Sequence, residues 1–222
     1  MTDQLIIIAS KNKGKIAEFS HAFGQLGMRV ASLHDYPDFP DIAETGDTFR
    51  ANARLKAKTL GDALGIPVLA DDSGLEVDAL GGEPGVYSAR YAGEGATDAA
   101  NNAKLLKELA ALHEAESVEA EKLPDGSNIW SKARFVCVLS LYDPADGSFL
   151  EAEGEVAGVI TDRPHGDGGF GYDPLFWLPW LGRGMAELSK DEKGGISHRG
   201  EALRKLLARL SRSEPDSASA TY

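Results

Sequence analysis

Apolar residues fall into short continuous runs separated by stretches of helical spacing. Leu5-Ile6-Ile7-Ile8-Ala9 is unbroken, as in a strand buried on both faces. Ile16, Phe19, Ala22, Phe23 and Leu26 then recur every three or four residues and predict a helix. Met28 to Ser32 reads as a second strand, and residues 34–47 as a loop broken by Pro37, Pro40 and Gly46. A helix is predicted from Thr48 to Leu64, capped by Asp47 or Thr48, with Phe49, Ala53, Lys56, Ala57 and Leu60 spaced along it. Pro67-Val68-Leu69-Ala70 reads as a buried strand that stops at Asp71-Asp72-Ser73-Gly74. Glu76 to Leu80 alternates like a further strand, and Thr97 to Leu112 predicts a helix capped by Thr97. Residues 113–130 read as an exposed excursion. Ala133 to Leu141 and Phe149 to Ile160 predict two long strands, joined by a hairpin at Asp143-Pro144-Ala145-Asp146-Gly147. Ala202, Leu203, Leu206, Leu207 and Leu210 mark a last helix, with Ser197 as its cap. Helices and strands alternate early and a hairpin comes late, so the expected class is α/β with a mixed sheet. Residues 1–211 are expected to form one domain and 212–222 a disordered polar tail.

Composition narrows the partners. At 222 residues, with 42% hydrophobic and 26% charged residues, the chain can bury a sizeable core. A net charge of −12 argues against a nucleic acid polymer, whose binding needs clustered Lys and Arg. It leaves room for a small anion, which needs only a few placed cations. Cys137 is the only cysteine and lies in Phe135-Val136-Cys137-Val138-Leu139, so it is expected to fill core. The N-terminus lacks a basic leader, and no apolar run is long enough to span a membrane. A cytoplasmic setting is the expectation.

Candidate chemistry collects at strand ends. Adjacent residues of an extended chain face opposite ways, so Asp71 and Asp72 should take different roles. With no basic neighbour in sequence, such carboxylates suit Mg²⁺; the same residues would also serve as an Asx-turn. Ser10-Lys11-Asn12-Lys13-Gly14-Lys15 joins a strand end to a helix start. Free N–H groups, the Ser10 and Asn12 side chains and the Lys15 charge would receive an anion there, or simply cap the helix. Glu44 lies just before the next helix and either faces the acid pair or is an exposed loop acid. Arg90, in the loop Gly81 to Tyr91, is a candidate anion or carboxylate partner.

Gly166-Asp167-Gly168-Gly169-Phe170-Gly171 matches G-x-G-x-x-G in form only. A dinucleotide motif opens a helix, whereas Tyr172-Asp173-Pro174 follows here. A loop presenting Phe170 for stacking on a planar base, with Tyr172 and with Asp173 as a hydrogen-bond acceptor, is the alternative to plain core aromatics. His198 and Arg199 fall in the first turn of the last helix, where cations oppose the helix dipole; a ligand-facing role would explain them, as would a solvated surface pair.

SKNKGK, ETGDTFRANA, ADDSGLEVDALGGEPGVYSARYAG, GGFGYDP and AELSKDEKGGISHRGEAL follow one another in this order. Together they resemble the inosine triphosphate pyrophosphatase family, the Ham1-like enzymes acting on non-standard purine nucleoside triphosphates. The resemblance implies a two-lobed, elongated mixed sheet flanked by helices around a central nucleotide cleft, and a homodimer. It implies Mg²⁺-dependent hydrolysis of ITP, dITP and XTP to the monophosphate and pyrophosphate. By matching motif, Ser10, Lys11, Asn12, Lys13, Gly14 and Lys15 resemble the triphosphate loop. Glu44 and Asp72 resemble the metal-handling acids, with Asp72 also the general base, and Ser73 a substrate contact. Phe170, Gly171, Tyr172 and Asp173 resemble the base-contacting loop, Lys193 a further contact, and His198 and Arg199 the purine-reading pair. Residues 113–130 depart from the pattern but leave the motifs intact. A nucleotide-binding module without turnover, and a Mg²⁺ phosphohydrolase of standard nucleotides, are the rival readings.

Overall fold

The computed structural model describes residues 5–116 and 120–213. The elements are β1 (Leu5–Ile8), α1 (Lys13–Gly24), β2 (Arg29–Ser32), α2 (Phe49–Leu64), β3 (Val68–Val77), α3 (Asp98–Glu116), β4 (Ile129–Asp143), β5 (Ser148–Thr161), β6 (Phe176–Leu178), β7 (Arg183–Gly184), α4 (Lys190–Ile196) and α5 (His198–Ser213). The strands form one seven-stranded sheet in the order β2-β1-β3-β4-β5-β6-β7. β1 pairs in parallel with β2 and β3, while β5–β6 and β6–β7 are antiparallel. The fold is α/β with a mixed sheet.

The chain divides into two compact units. The first comprises residues 1–72, 138–154 and 201–222; the second comprises 73–137 and 155–200. In the first, Ile7, Ala9, Val68 and Ala70 share a core with Ala57 and Leu60 of α2 and Tyr142 of β4. In the second, Leu105 and Leu109 of α3 meet Leu75, Phe135, Ile160 and Phe176. β4 records two environments: buried and exposed residues alternate from Ser131 to Phe135, and then Val136 to Tyr142 are all buried. An alternating run has one wet face, and an unbroken buried run is covered on both. Cys137 is fully buried in that strand, as core filling requires.

Four expectations need correction. The strand expected to stop at Ala70 continues through Val77, so Asp71, Asp72, Ser73 and Gly74 lie in mid-strand and no Asx-turn forms. Their extended backbone follows from a central position in the sheet, where pairing overrides the poor strand propensity of Asp and Gly. Asp78 to Leu80, expected within a strand, is a 3-10 turn. The excursion is only partly exposed: α3 continues to Glu116, Lys122 and Asn128 bridge in a tight hairpin, and Ser127 is fully buried. The expected polar tail begins within α5, which reaches Ser213; residues 214–222 lie outside the described residues. Among the described residues no helix is long and apolar enough to cross a membrane.

Candidate functional site

In the first unit, Asn12 ends the loop after β1 and caps α1, its Oδ1 accepting from the N–H groups of Gly14 and Lys15. The helix therefore starts at Lys13, inside the stretch expected to be loop. The Asn12 N–H donates to Ser10 Oγ at 3.1 Å, so Ser10 and Asn12 hold the turn in shape. Lys11 and Lys13 point to solvent, with Lys11 Nζ 2.7 Å from Asp41 Oδ1. His34 Nε2 lies 3.0 Å from the Lys11 carbonyl and ties the same turn to the segment after β2.

Asp71 and Asp72 are both buried and each meets a lysine far away in sequence. Lys15 Nζ lies 2.7 Å from Asp71 Oδ2. Lys56 Nζ, from the third turn of α2, lies 3.4 Å from Asp72 Oδ1 and 2.5 Å from Glu44 Oε1. The two acids thus meet different lysines, and the basic partners absent from the local sequence are supplied by helices. Burial alone would pull the Lys56 pKa down; attraction by Asp72, Asp71 and Glu44 together outweighs it and leaves the ammonium pKa raised. Burial pushes the Asp72 carboxyl up, Lys56 opposes the shift and Glu44 adds to it. Asn52 lies beside Asp72 and favours its charge, yet no hydrogen bond of sound geometry joins them. Asp72 Oδ2 and Asn52 Nδ2 are both buried without a hydrogen-bond partner.

That unpartnered oxygen bears on metal binding. A buried carboxylate oxygen without a well-formed hydrogen bond, beside a second carboxylate, suits a hard cation. Among the described residues no group of three or more acidic, His or Cys side chains converges. Glu44 and Asp72 alone would leave most of a hard cation's oxygen ligands to water and phosphate.

In the second unit, Ser73 follows directly on Asp72 in β3. The glycine-rich loop opens no α-helix; a three-residue 3-10 turn and β6 follow, as its rejection as a dinucleotide motif requires. Phe170 is 62% exposed at the loop tip, with Lys193 Nζ 5.6 Å from its ring centroid. Asp173 is buried, its Oδ2 accepting from the Phe170 N–H at 2.8 Å and from Lys193 Nζ at 2.5 Å. Tyr172 is turned inward, its hydroxyl donating to the Ser88 carbonyl at 2.8 Å. Gly169, at φ +80°, leaves the space that Asp173 and Lys193 fill. Ser197 caps α5 through the Gly200 N–H at 3.0 Å, so His198 and Arg199 open that helix. Arg199 is buried rather than a solvated surface cation, and the His198 ring stacks on Phe135 at 5.2 Å. Arg90 reaches Glu94 at 3.5 Å and lies over the Tyr87 ring.

Lys56 and Asn52 were not among the sequence-derived site residues. A signal for them exists: 49, 52, 53, 56, 57 and 60 all lie at core-face spacing on α2, so two polar side chains sit on its buried face. A polar residue on that face is either satisfied internally or directed at a ligand.

The chain matches the Ham1 family over residues 6–209 and belongs to it. It is 51% identical to the dITP/XTP pyrophosphatase of Geobacillus kaustophilus, over 90% of this chain and 91% of that protein. It is also 51% identical to the dITP/XTP pyrophosphatase of Streptococcus pyogenes serotype M18, over 91% of this chain; it spans only 57% of that relative's length. Among solved structures, the Ham1 protein of Staphylococcus aureus superposes with a TM-score of 0.80 at 45% identity, covering 94% of this chain and 99% of that one. The nucleoside-triphosphatase / dITP/XTP pyrophosphatase of Mycobacterium abscessus gives a TM-score of 0.73 at 40% identity, covering 92% and 99%.

Proposed function

We propose that this chain hydrolyses purine nucleoside triphosphates with altered bases (dITP, ITP and XTP) between the α and β phosphates. Water and the anhydride give the nucleoside monophosphate and pyrophosphate. The observation that carries the reading is the buried Asp72, with one oxygen unpartnered, beside Glu44 and Lys56. Relatives named dITP/XTP pyrophosphatase at about half identity support the substrate class.

In this reading Lys15 and the Ser10–Asn12 turn bind and orient the triphosphate, and Lys56 neutralises charge beside the acids. Asp72 orients the attacking water and accepts its proton, a role helped by a carboxyl pKa raised through burial. Glu44 and Asp72 would hold Mg²⁺, which when bound supplies further neutralisation of phosphate charge. Phe170 would stack on the base, with Ser73, Gly171, Tyr172, Asp173 and Lys193 shaping or contacting that end, and His198 and Arg199 reading the purine edge. A single catalytic domain over 1–211 and a homodimer belong to the same proposal and rest on the family resemblance; a cytoplasmic setting belongs to it on the sequence features given above.

The test is a panel of dITP, ITP, XTP, GTP and ATP with and without Mg²⁺, identifying both products. Pyrophosphate with the monophosphate from the altered bases is the expected result. Orthophosphate release, equal use of ATP, or binding without turnover would each overturn the reading.

A further inference from the structure

Both backbone polar groups of Gly171 are held by side chains one turn apart on α3. Its N–H donates to Asp98 Oδ2 at 2.6 Å, and its carbonyl accepts from Asn102 Nδ2 at 3.0 Å. These side chains satisfy the peptide as a neighbouring strand would. Other side chains cap the helix start and tie it to the preceding loop. Thr97 Oγ1 takes the Ala100 N–H at the helix start, and Asn101 separately serves Ala92 and Ala89.

The segment they hold needs anchoring. Gly171 sits at φ +60°, and glycines at 166, 168 and 169 precede it, so ordering this backbone has a large entropic cost. Phe170, immediately before the clamp, is exposed; an aromatic ring on such a loop keeps one direction only if its backbone is tied down. We propose that Asp98 and Asn102 are positioning residues that fix the Gly171 peptide and so present Phe170 to the purine base. The inference rests on the reading of residues 170–173 as the base-contacting loop.

The test uses the full chain as wild type, Asp98→Ala, Asn102→Ala, the double variant and Asp98→Asn, which keeps an acceptor oxygen. Amide hydrogen exchange over residues 168–173 is measured together with kcat and KM for dITP and inhibition by pyrophosphate. In the double variant exchange should quicken about tenfold and KM rise about tenfold, with kcat changing less than about threefold. Pyrophosphate inhibition should hold, and Asp98→Asn should stay close to wild type. Unchanged exchange would overturn the clamp. Faster exchange with unchanged KM, or a loss confined to kcat, would overturn its positioning role. A wild-type chain that hydrolyses no altered-base triphosphate sinks the proposed activity instead, before any variant is compared, and the exchange data still decide whether the clamp exists.

Discussion

Lys56 Nζ stands 2.5 Å from Glu44 Oε1 and carries its positive charge to the same acids that would hold a metal. Lys56→Met keeps the length of the side chain and removes the charge. The expected outcome is a drop of about 10²-fold or more in kcat/KM for dITP with the fold intact, because the charge is preorganised in a largely buried site. Steady-state kinetics and circular dichroism decide it. A folded Lys56→Met protein with near-normal kinetics would show that Lys56 only neutralises the apo site.

Asp72→Asn keeps the shape and removes the carboxylate proposed as the general base. Turnover should fall by about 10²–10⁴. Near-normal turnover in a well-folded variant would remove Asp72 from the chemistry.

Lys15 and Asp71 are 56 residues apart in sequence and 2.7 Å apart in space. Lys15→Ala should weaken triphosphate binding and pyrophosphate inhibition together, leaving base preference unchanged. In a double-mutant cycle with Asp71→Asn, urea midpoints should reveal a coupling of about 1–2 kcal/mol. Additive effects on stability, or a shifted ITP-to-GTP ratio, would contradict this placement.

Glu192 offers a pH test away from the acids. The Ser189 N–H, the Arg183 guanidinium and the Ser189 hydroxyl hold its carboxyl down to about 2. A carboxylate whose pKa is depressed on folding contributes stability above its unfolded pKa and loses it as pH falls toward the folded value. The stability gap between wild type and Glu192→Gln should be nearly full at pH 5 and roughly less than half as large at pH 3. The group is exposed, so the gap is small throughout. Urea midpoints at pH 7, 5 and 3 measure it; a gap that grows on acidification would reverse the sign.

Most of the frame was legible because it rests on local period. The continuous run at Leu5 to Ile8, the spacing from Phe49 to Leu60 and the hairpin at Asp143 to Gly147 each became the element they announce. The strand through Asp71-Asp72-Ser73-Gly74 was not legible. Its polar residues read as punctuation until Lys15 and Lys56, brought in by two helices, meet Asp71 and one oxygen of Asp72. The site divided the same way. Motif residues could be named from sequence, but their hydrogen bonds could not. The inward turn of Tyr172 depends on the Ser88 carbonyl, 84 positions earlier, and the Gly171 clamp depends on α3. Contacts of such separation leave no mark in a local pattern.

Arg199 carries the proposal for base selection. Arg199 is buried at the start of α5, where its charge lies against the helix dipole and its guanidinium belongs to the second unit's base-contacting end in this proposal. Hypoxanthine and xanthine present a 6-oxo acceptor where adenine presents an amino donor. A guanidinium only donates, so it favours the oxo group. Adenine would set donor against donor, at about 1–3 kcal/mol for each buried group left unmet. GTP shares the 6-oxo group, so its exclusion requires a poor fit of the 2-amino group. Arg199→Ala should therefore lower kcat/KM for ITP and XTP sharply and for ATP much less, narrowing the gap between them. His198→Ala is a weaker probe, because removing a ring stacked on Phe135 also opens packing in the core. Specificity constants for ITP, XTP, GTP and ATP on wild type and Arg199→Ala, at one Mg²⁺ concentration, make the comparison. An equal proportional loss for ITP and ATP would assign Arg199 to phosphate binding or to structure rather than to the base.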